Sequence, residues 1–294
     1  MSVASGKFVI VHADDLGMSH GANRAFAELA GLGVCGSGSV MVPCPWFPEV
    51  VELAAADASL DIGVHLTLTS EMDRFRWRPL TRPSAAAGLT DADGYFHRRP
   101  ATVRAAASRD AVEAELRAQI EAALATGIDV SHLDDHAGTV LAPEFCDIYI
   151  RLGVEFGLPI LITPQLSTYG GLHNMAGVAA DDYRGHAMAA EAAGFTLFDR
   201  IIETPWTEAA VSAEEYQALF AGIAPGRTYM AMHFAAPGDV AAIDPHMGHR
   251  RTGEYALFRS PEFGRWLGLQ GLELGGMRGL RADLRARLSR GRSE

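Results

Sequence analysis

The sequence is poor in cysteine and in positive charge, and it has no long hydrophobic run. Its 294 residues include 3 cysteines and no Cys-x-x-Cys pair, which favours structural thiols in a reducing compartment over a disulfide framework. No apolar run approaches the ~18 residues of a membrane helix, and the start of the chain does not resemble a signal peptide. We therefore expect a cytoplasmic protein without a membrane span.

The formal net charge of −11 is a second constraint. An acidic surface repels nucleic acid phosphates, so a nucleic-acid partner would require a local basic patch. The clear candidate is the arginine-rich end of the chain at about 278–292, where the spacing of leucine and arginine predicts a terminal helix with a solvated face. No nucleic-acid partner is predicted.

Apolar, β-rich runs alternate with helix-like segments along the chain. Strand-like runs lie at 8–13, 37–42, 61–68, 129–136, 158–163, 196–203, 228–234 and 272–274. This alternation predicts an α/β fold with mostly parallel strands and helices outside them. Roughly seven or eight such units predict an irregular (β/α) barrel, similar to a TIM barrel, in a single domain over residues 1–294.

Helix starts and irregular segments complete the prediction. Ser19 and Ser212 are typical helix N-caps, and residues 254–266 are predicted to form one helix. Two segments without a clear period, at about 70–105 and 165–180, are predicted to be excursions from the barrel. Long loops within a compact domain are usually functional or mobile.

Acidic and histidine side chains follow or end several of the predicted strands. They are Asp14, Asp15, His65, His132, Asp134, His136 and His233. In parallel α/β folds the active site forms at the carboxyl ends of the strands, so these side chains are expected to converge. Taken singly, an Asp-Asp pair is also common as a cap or turn, and a lone strand histidine is more often structural.

The residue types indicate a metal-dependent hydrolase. One carboxylate and two imidazoles can bind a divalent metal and leave positions for water and substrate. A second carboxylate can take a proton from the water, and a histidine opposite can protonate a leaving amine. Adjacent aspartates divide two such roles, because consecutive side chains point in different directions. This set suits hydrolysis of an amide.

Several of these segments resemble those of a known family. Residues 13–17 (Ala-Asp-Asp-Leu-Gly), 63–69 (Gly-Val-His-Leu-Thr-Leu-Thr) and 131–136 (Ser-His-Leu-Asp-Asp-His) look like the signature segments of the YdjC/ChbG-like carbohydrate deacetylases. Residues 36–42 also resemble that family's second strand. The resemblance runs in order from about residue 7 to 163 and resumes at about 228–260.

The resemblance implies a barrel-like fold and a hydrolase that acts on a non-peptide C–N bond. The reaction would remove the N-acetyl group from an acetylated amino sugar or oligosaccharide. One divalent metal ion, Mg2+ or Zn2+, would be bound by Asp15, His65 and His136.

The resemblance also implies roles for four further residues. Asp14 would be the general base, and His233 aligns with a late histidine thought to serve the family as a general acid. His132 and Asp134 would contact the substrate or hold a ligand histidine in its tautomer.

The first excursion and the remaining histidines carry weaker signals. Arg74 and Trp77 are expected to line the sugar cleft, because aromatic faces pack against sugar rings. The alternative is a surface loop whose arginines extend along apolar surface. His12, His173 and His246 are expected mainly at the surface or behind the site.

Two other functions remain open. One is a hydrolase of a different amide or ester, or of a phosphoester, on the same scaffold. The other is a non-catalytic sugar-binding protein, which Asp14 disfavours because binding alone needs no base. The expected partner is a small acetylated sugar. A homodimer is kept as an alternative because two-fold dimers are the most frequent oligomers.

Overall fold

Parallel strands form the framework of the protein, which the computed structural model describes over residues 6–291. Within this range there are seven: β1 (Lys7–Leu16), β2 (Ser37–Val40), β3 (Ile62–Leu66), β4 (Leu133–Asp135), β5 (Arg200–Glu203), β6 (Gly226–Met232) and β7 (Leu272–Leu274). Their order is β4-β3-β2-β1-β6-β5, with β7 beside β1. The sheet curls into a half-barrel with helices around it, which confirms the predicted α/β barrel class.

The central strand is β1, which pairs with three neighbours. It pairs with β6 along residues 7–13, with β7 along residues 7–9 and with β2 from His12 onward. Val9, Ile10 and Val11 are all buried, as expected of a parallel strand covered on both faces. Full burial of each such side chain stabilises the fold by about 1.5–3 kcal/mol.

Helices cover the outside of the sheet. They are α1 (His20–Gly31), α2 (Phe47–Ala56), α3 (Pro100–Ala106), α4 (Arg109–Ala125), α5 (Cys146–Phe156), α6 (Ala180–Ala192), α7 (Ala213–Ala221), α8 (Val240–Ile243), α9 (Gly248–Arg259), α10 (Pro261–Gly268) and α11 (Arg278–Gly291). The hydroxyls of Ser19 and Ser212 accept hydrogen bonds from Ala22 N and Glu215 N. Both predicted N-caps are therefore confirmed.

The structure corrects three of the predicted elements. Residues 254–266 form parts of two helices, because Pro261 has no N–H to continue α9 and Ser260 caps α10 instead. The predicted strand at 158–163 is reduced to one parallel bridge between Leu133 and Ile160. The predicted strand at 129–136 is shortened to β4, because the chain turns at His136 into a short 3-10 helix.

Other predictions have simple outcomes. Within the described residues, no helix is both long and apolar enough to cross a membrane. The three cysteines are free and buried, as expected of structural thiols. The excursion at 70–105 contains a 3-10 turn and most of α3, and that at 165–180 contains two 3-10 turns. The arginine-rich end forms α11, and its last predicted residue, Arg292, lies outside the described residues.

Gly63 on β3 packs directly against the buried ring of His132, so a larger residue does not fit at this position. A β-carbon at this position would overlap the buried imidazole of His132. We predict that Gly63→Ala lowers the free energy of unfolding by about 1–3 kcal/mol, because a close-packed interior cannot absorb an added methyl group. Urea unfolding measures the change.

Gly185→Ala is the matched control. A β-carbon there would meet no atom within 4 Å, and alanine replaces glycine inside α6. That variant should be neutral or more stable by up to about 1 kcal/mol. An unchanged unfolding midpoint for Gly63→Ala would contradict the packing argument.

Candidate active site and metal centre

A cavity of about 710 Å³ opens at the carboxyl ends of the strands. Its walls include five of the side chains singled out in the sequence: Asp14, Asp15, His65, His136 and His233. They come from β1, from β3 and from the turns that follow β4 and β6. The parallel arrangement therefore brings together residues that are up to 219 positions apart in the chain.

Asp14 and Asp15 both face this cavity because β1 is irregular at its end. Between Ala13 and Leu16 the register with β2 shifts by one residue, which is a β-bulge. Asp15 has a φ of 63°, a left-handed conformation that a non-glycine residue adopts at some cost. A regular strand would point consecutive side chains to opposite faces, whereas this bulge turns both carboxylates toward the cavity.

Three atoms converge in a manner suited to one cation. Asp15 Oδ1 lies 3.4 Å from His65 Nε2 and 3.2 Å from His136 Nδ1. The ligand atoms of these three residues all lie within 4.8 Å of one another. Atoms that share one divalent metal are separated by about 3 to 3.5 Å. One carboxylate and two imidazoles are the donor set that the sequence indicated.

The other atom of each side chain is held by a second partner. His65 Nδ1 bonds Asp134 Oδ1 at 2.8 Å, and His136 Nε2 bonds Glu71 Oε2 at 3.0 Å. These bonds fix the tautomers that leave His65 Nε2 and His136 Nδ1 free to coordinate a metal. Arg251 donates to Asp15 Oδ2 at 2.7 Å.

Asp15 Oδ1 is the atom that most directly indicates a cation site. It is buried and has no hydrogen-bond partner, which is costly for a carboxylate oxygen. Burial alone would raise the pKa of Asp15, but the charge of Arg251 and the nearby imidazoles of His136 and His65 hold it well below its usual range. The residues present therefore fit a divalent metal. The donor set is compatible with Zn2+ or Mg2+.

Asp14 is held from behind by two buried histidines. Its Oδ1 lies 2.6 Å from His12 Nδ1, and His12 Nε2 lies 3.1 Å from His132 Nε2. Ser131 Oγ lies 2.8 Å from His132 Nδ1. The distances fit a chain of hydrogen bonds in which each group donates toward Asp14. His12 is thus fully buried behind the site. The sequence leaves this position and one at the surface open.

His233 lines the same cavity and lies beside Asp14. Its Nδ1 lies 2.9 Å from Thr204 Oγ1, which donates in turn to Glu254 Oε2 at 3.1 Å. The tautomer with a proton on Nδ1 satisfies both bonds and leaves the Nε2 lone pair facing Asp14 Oδ2, 3.9 Å away. Burial lowers the pKa of His233 to about 4 and raises that of Glu254 to about 7.

The four residues expected to contact substrate are placed differently. His132 and Asp134 are fully buried behind the ligands, and Trp77 is buried with its Nε1 donating to Thr69 O. Arg74 is exposed. Among the described residues, the cavity walls include none of these four. For His132 and Asp134 the structure favours the other role considered, that of orienting the groups in front of them.

Several cavity residues were not singled out in the sequence. They are Glu71, Glu203, Trp206, Asp244 and Arg251, together with the rim histidines His173 and His246. Glu203 alone had a usable signal, because it ends a predicted strand. The others lie in loops or on α9, where no periodicity marks a residue that faces the site.

Comparison with known proteins identifies the family of this chain. The model of the YdjC-like protein family matches residues 8–268. The chain belongs to the YdjC-like family. A carbohydrate deacetylase from Thermus thermophilus is 38% identical over 170 residues, which are 58% of this chain and 59% of that protein. One from Thermoanaerobacter pseudethanolicus is 29% identical over 158 residues, 54% of this chain and 61% of the relative.

The matches to these curated relatives span about three fifths of their length. A crystal structure from Enterococcus faecalis, named for cellobiose-phosphate cleavage, superposes with a TM-score of 0.75 at 21% identity. It covers 94% of this chain and 99% of the other. At that identity the likeness shows that the YdjC-like chain shares the fold.

Glu71 is predicted to be a determinant of metal affinity in this YdjC-like protein. Glu71→Gln removes the charge that orients His136, so Zn2+ should bind about 10- to 100-fold more weakly. Calorimetric titration of metal-stripped protein measures the affinity. Asp73→Asn, which changes an exposed carboxylate nearby, should leave it unchanged. Equal affinities in the two variants would show that Glu71 does not contribute to metal binding.

Metal binding is also predicted to release protons. Burial lowers the pKa of His136, but Glu71 and Asp15 outweigh this and raise it to about 10 in the metal-free protein. The ring must lose its proton to bind a cation, so affinity should rise at least about tenfold per unit between pH 6 and pH 8. Calorimetry in buffers of different ionisation enthalpy counts the protons. A flat pH profile would contradict the assignment.

Proposed function

We propose that this protein is a metal-dependent hydrolase that removes the N-acetyl group from an acetylated amino sugar or oligosaccharide. The observation that carries the proposal is the placing of Asp14 beside the three-ligand site formed by Asp15, His65 and His136. A protein that only binds sugar has no need of a buried carboxylate held next to metal ligands. The curated relatives named carbohydrate deacetylases support the choice of substrate class.

The chain's own residues supply the proton transfers. When bound, the metal would polarise the acetyl carbonyl and lower the pKa of the attacking water. Asp14 Oδ2 faces the cavity and can take the proton from that water, while His12 fixes the other oxygen. Because of the bulge at the end of β1, both aspartates reach the cavity, where Asp15 would bind the metal and Asp14 would act on the water.

His233 is proposed to deliver a proton to the leaving amine. Because the pKa of its ring is lowered to about 4, the imidazole is neutral before the reaction. It must therefore gain its proton within the catalytic cycle. Asp14 Oδ2 lies 3.9 Å from its Nε2, which is beyond direct hydrogen-bond distance, so the proton would pass through an intervening water or substrate atom. The proton removed from water can pass from Asp14 to the amine by this route. Thr204 and Glu254 hold the ring in the orientation that the transfer needs.

The cavity suits a sugar of modest size. Its volume of about 710 Å³ is within the range of ~300–1,000 Å³ typical of small-molecule sites. The side chains of Glu203 and Arg251, which could bind hydroxyls, lie beside the indole of Trp206 in its wall. We also propose that the chain forms a single catalytic domain around this cavity.

The direct test is acetate release from a panel of N-acetylated mono- and oligosaccharides. Metal-stripped protein is assayed with Zn2+, Mg2+, Mn2+ or Co2+ added back, beside acetyl esters and phosphomonoesters as alternative substrates. Metal-dependent release of acetate and a free amino sugar is expected. Turnover of the esters or phosphoesters alone would assign a different hydrolase to the same site.

Asp14→Asn separates catalysis from metal binding. The amide cannot act as a base, so kcat should fall by about 10²- to 10⁴-fold, while the metal content stays at the wild-type level. His136→Ala should instead lose metal affinity. Metal analysis and circular dichroism of both variants accompany the assay. Wild-type turnover in Asp14→Asn would exclude this carboxylate as the base.

A further inference from the structure

Glu203 stands at the end of β5 and presents a carboxylate to the cavity. Its side chain is 18% exposed, which is more than that of Asp14 or Asp15 at the reacting end. Trp206 Nε1 donates to Glu203 Oε1 at 3.1 Å. The other oxygen, Oε2, lies 3.9 Å from His173 Nδ1, too far for a hydrogen bond. One carboxylate oxygen is therefore oriented by the protein while the other faces the cavity.

Trp206 completes this part of the wall. Its indole is half-buried, with its ring 4.6 Å from that of His233 and the guanidinium of Arg251 5.3 Å from its centre. These contacts fix the ring next to the group proposed to protonate the amine. A carboxylate beside a fixed aromatic ring suits a sugar, whose hydroxyls donate to the oxygen while its C–H face packs on the ring.

The charges around the cavity disfavour an anionic substrate. Arg251 is bonded to Asp15 Oδ2 and Asp244 Oδ2. Arg98 donates to Asp73 Oδ1 and to the carbonyls of residues 71–73. The described wall of the cavity contains these two arginines and seven acidic side chains. Burial lowers the pKa of His173 in the same wall, so its imidazole is neutral at pH 7. Both guanidinium groups are thus already engaged by the protein.

We propose that the cavity selects uncharged acetylated sugars over phosphorylated ones, and that Glu203 enforces this by binding a sugar hydroxyl and repelling an anionic substituent. The inference rests on the proposed function. It specifies the substrate class within it, since a deacetylase as such could accept either kind of sugar.

The test compares N,N′-diacetylchitobiose with its 6-phosphate in the metal-loaded protein. Burial raises the pKa of Glu203 to about 7, so the assay is run at about pH 8, where the carboxylate is mostly charged. The wild type should favour the neutral sugar in kcat/KM by about tenfold or more, as expected from repulsion between charges a few ångströms apart. Glu203→Gln should reduce this preference by raising the relative rate of the phosphorylated sugar.

Glu208→Gln is the matched control, because this exposed glutamate lies on the same segment. It should keep the wild-type preference. A Glu203→Gln variant that slows both sugars equally would assign the residue a structural role and overturn the inference. Equal or faster turnover of the phosphorylated sugar by the wild type would do so as well.

Failure of the proposed function gives a different result. If neither sugar releases acetate with any metal, the deacetylase activity itself is wrong, and the selection is judged by calorimetric binding of the same two sugars. Tighter binding of the neutral sugar that is lost in Glu203→Gln would support the charge selection alone. Binding of neither sugar, or tighter binding of the phosphorylated one, would overturn it.

Discussion

The arrangement of the site depends on one buried carboxylate, that of Asp134 on β4. It accepts hydrogen bonds from His65 on β3, Ser39 on β2 and Tyr229 on β6, and His12 on β1 lies 3.8 Å away. Burial alone would raise the pKa of Asp134, but the nearby imidazoles of His65, His12 and His132 hold it below its usual value. A charge without such partners would be costly in the barrel interior. Its need for partners therefore fixes five strands relative to one another and sets the tautomer of His65.

Three of the histidines that line the cavity, His65, His136 and His233, differ in the partner behind them. His65 and His136 each bond a carboxylate directly, and in the metal-free protein the pKa of each ring is raised above its usual value. His233 bonds the hydroxyl of Thr204, with Glu254 one step further away, and the pKa of its ring is lowered to about 4. An imidazole backed by a carboxylate is a stronger donor to a cation. A buried imidazole backed by a hydroxyl stays neutral and could exchange a proton, so in the proposed mechanism the partner distinguishes the two roles.

Much of the fold and the centre of the site could be predicted from the sequence. The strand-helix alternation specified the α/β barrel, and the carboxyl ends of its strands specified where Asp14, Asp15 and His65 would lie. The position of His136 could be predicted, but the reason for it could not. A continuing strand was expected to carry its side chain inward. The structure instead ends β4 at Asp135, and a positive φ at Ala137 turns the chain so that the ring faces Asp15.

The site residues that could not be predicted come from segments in which no pattern shows which way a side chain points. Glu71 and Trp206 come from irregular segments, where no period relates a side chain to a face, and Glu254 comes from a helix whose inward face carries polar as well as apolar residues. Trp77 was expected at the cleft because aromatic residues bind sugars, but it is buried, with its ring 6.1 Å from that of His136. Trp206 lies at the cavity wall instead, because the Glu203 carboxylate at the end of β5 fixes its indole N–H. In the proposed function the strand ends supply the reacting groups, and the loops that reach them supply the groups that would select the substrate.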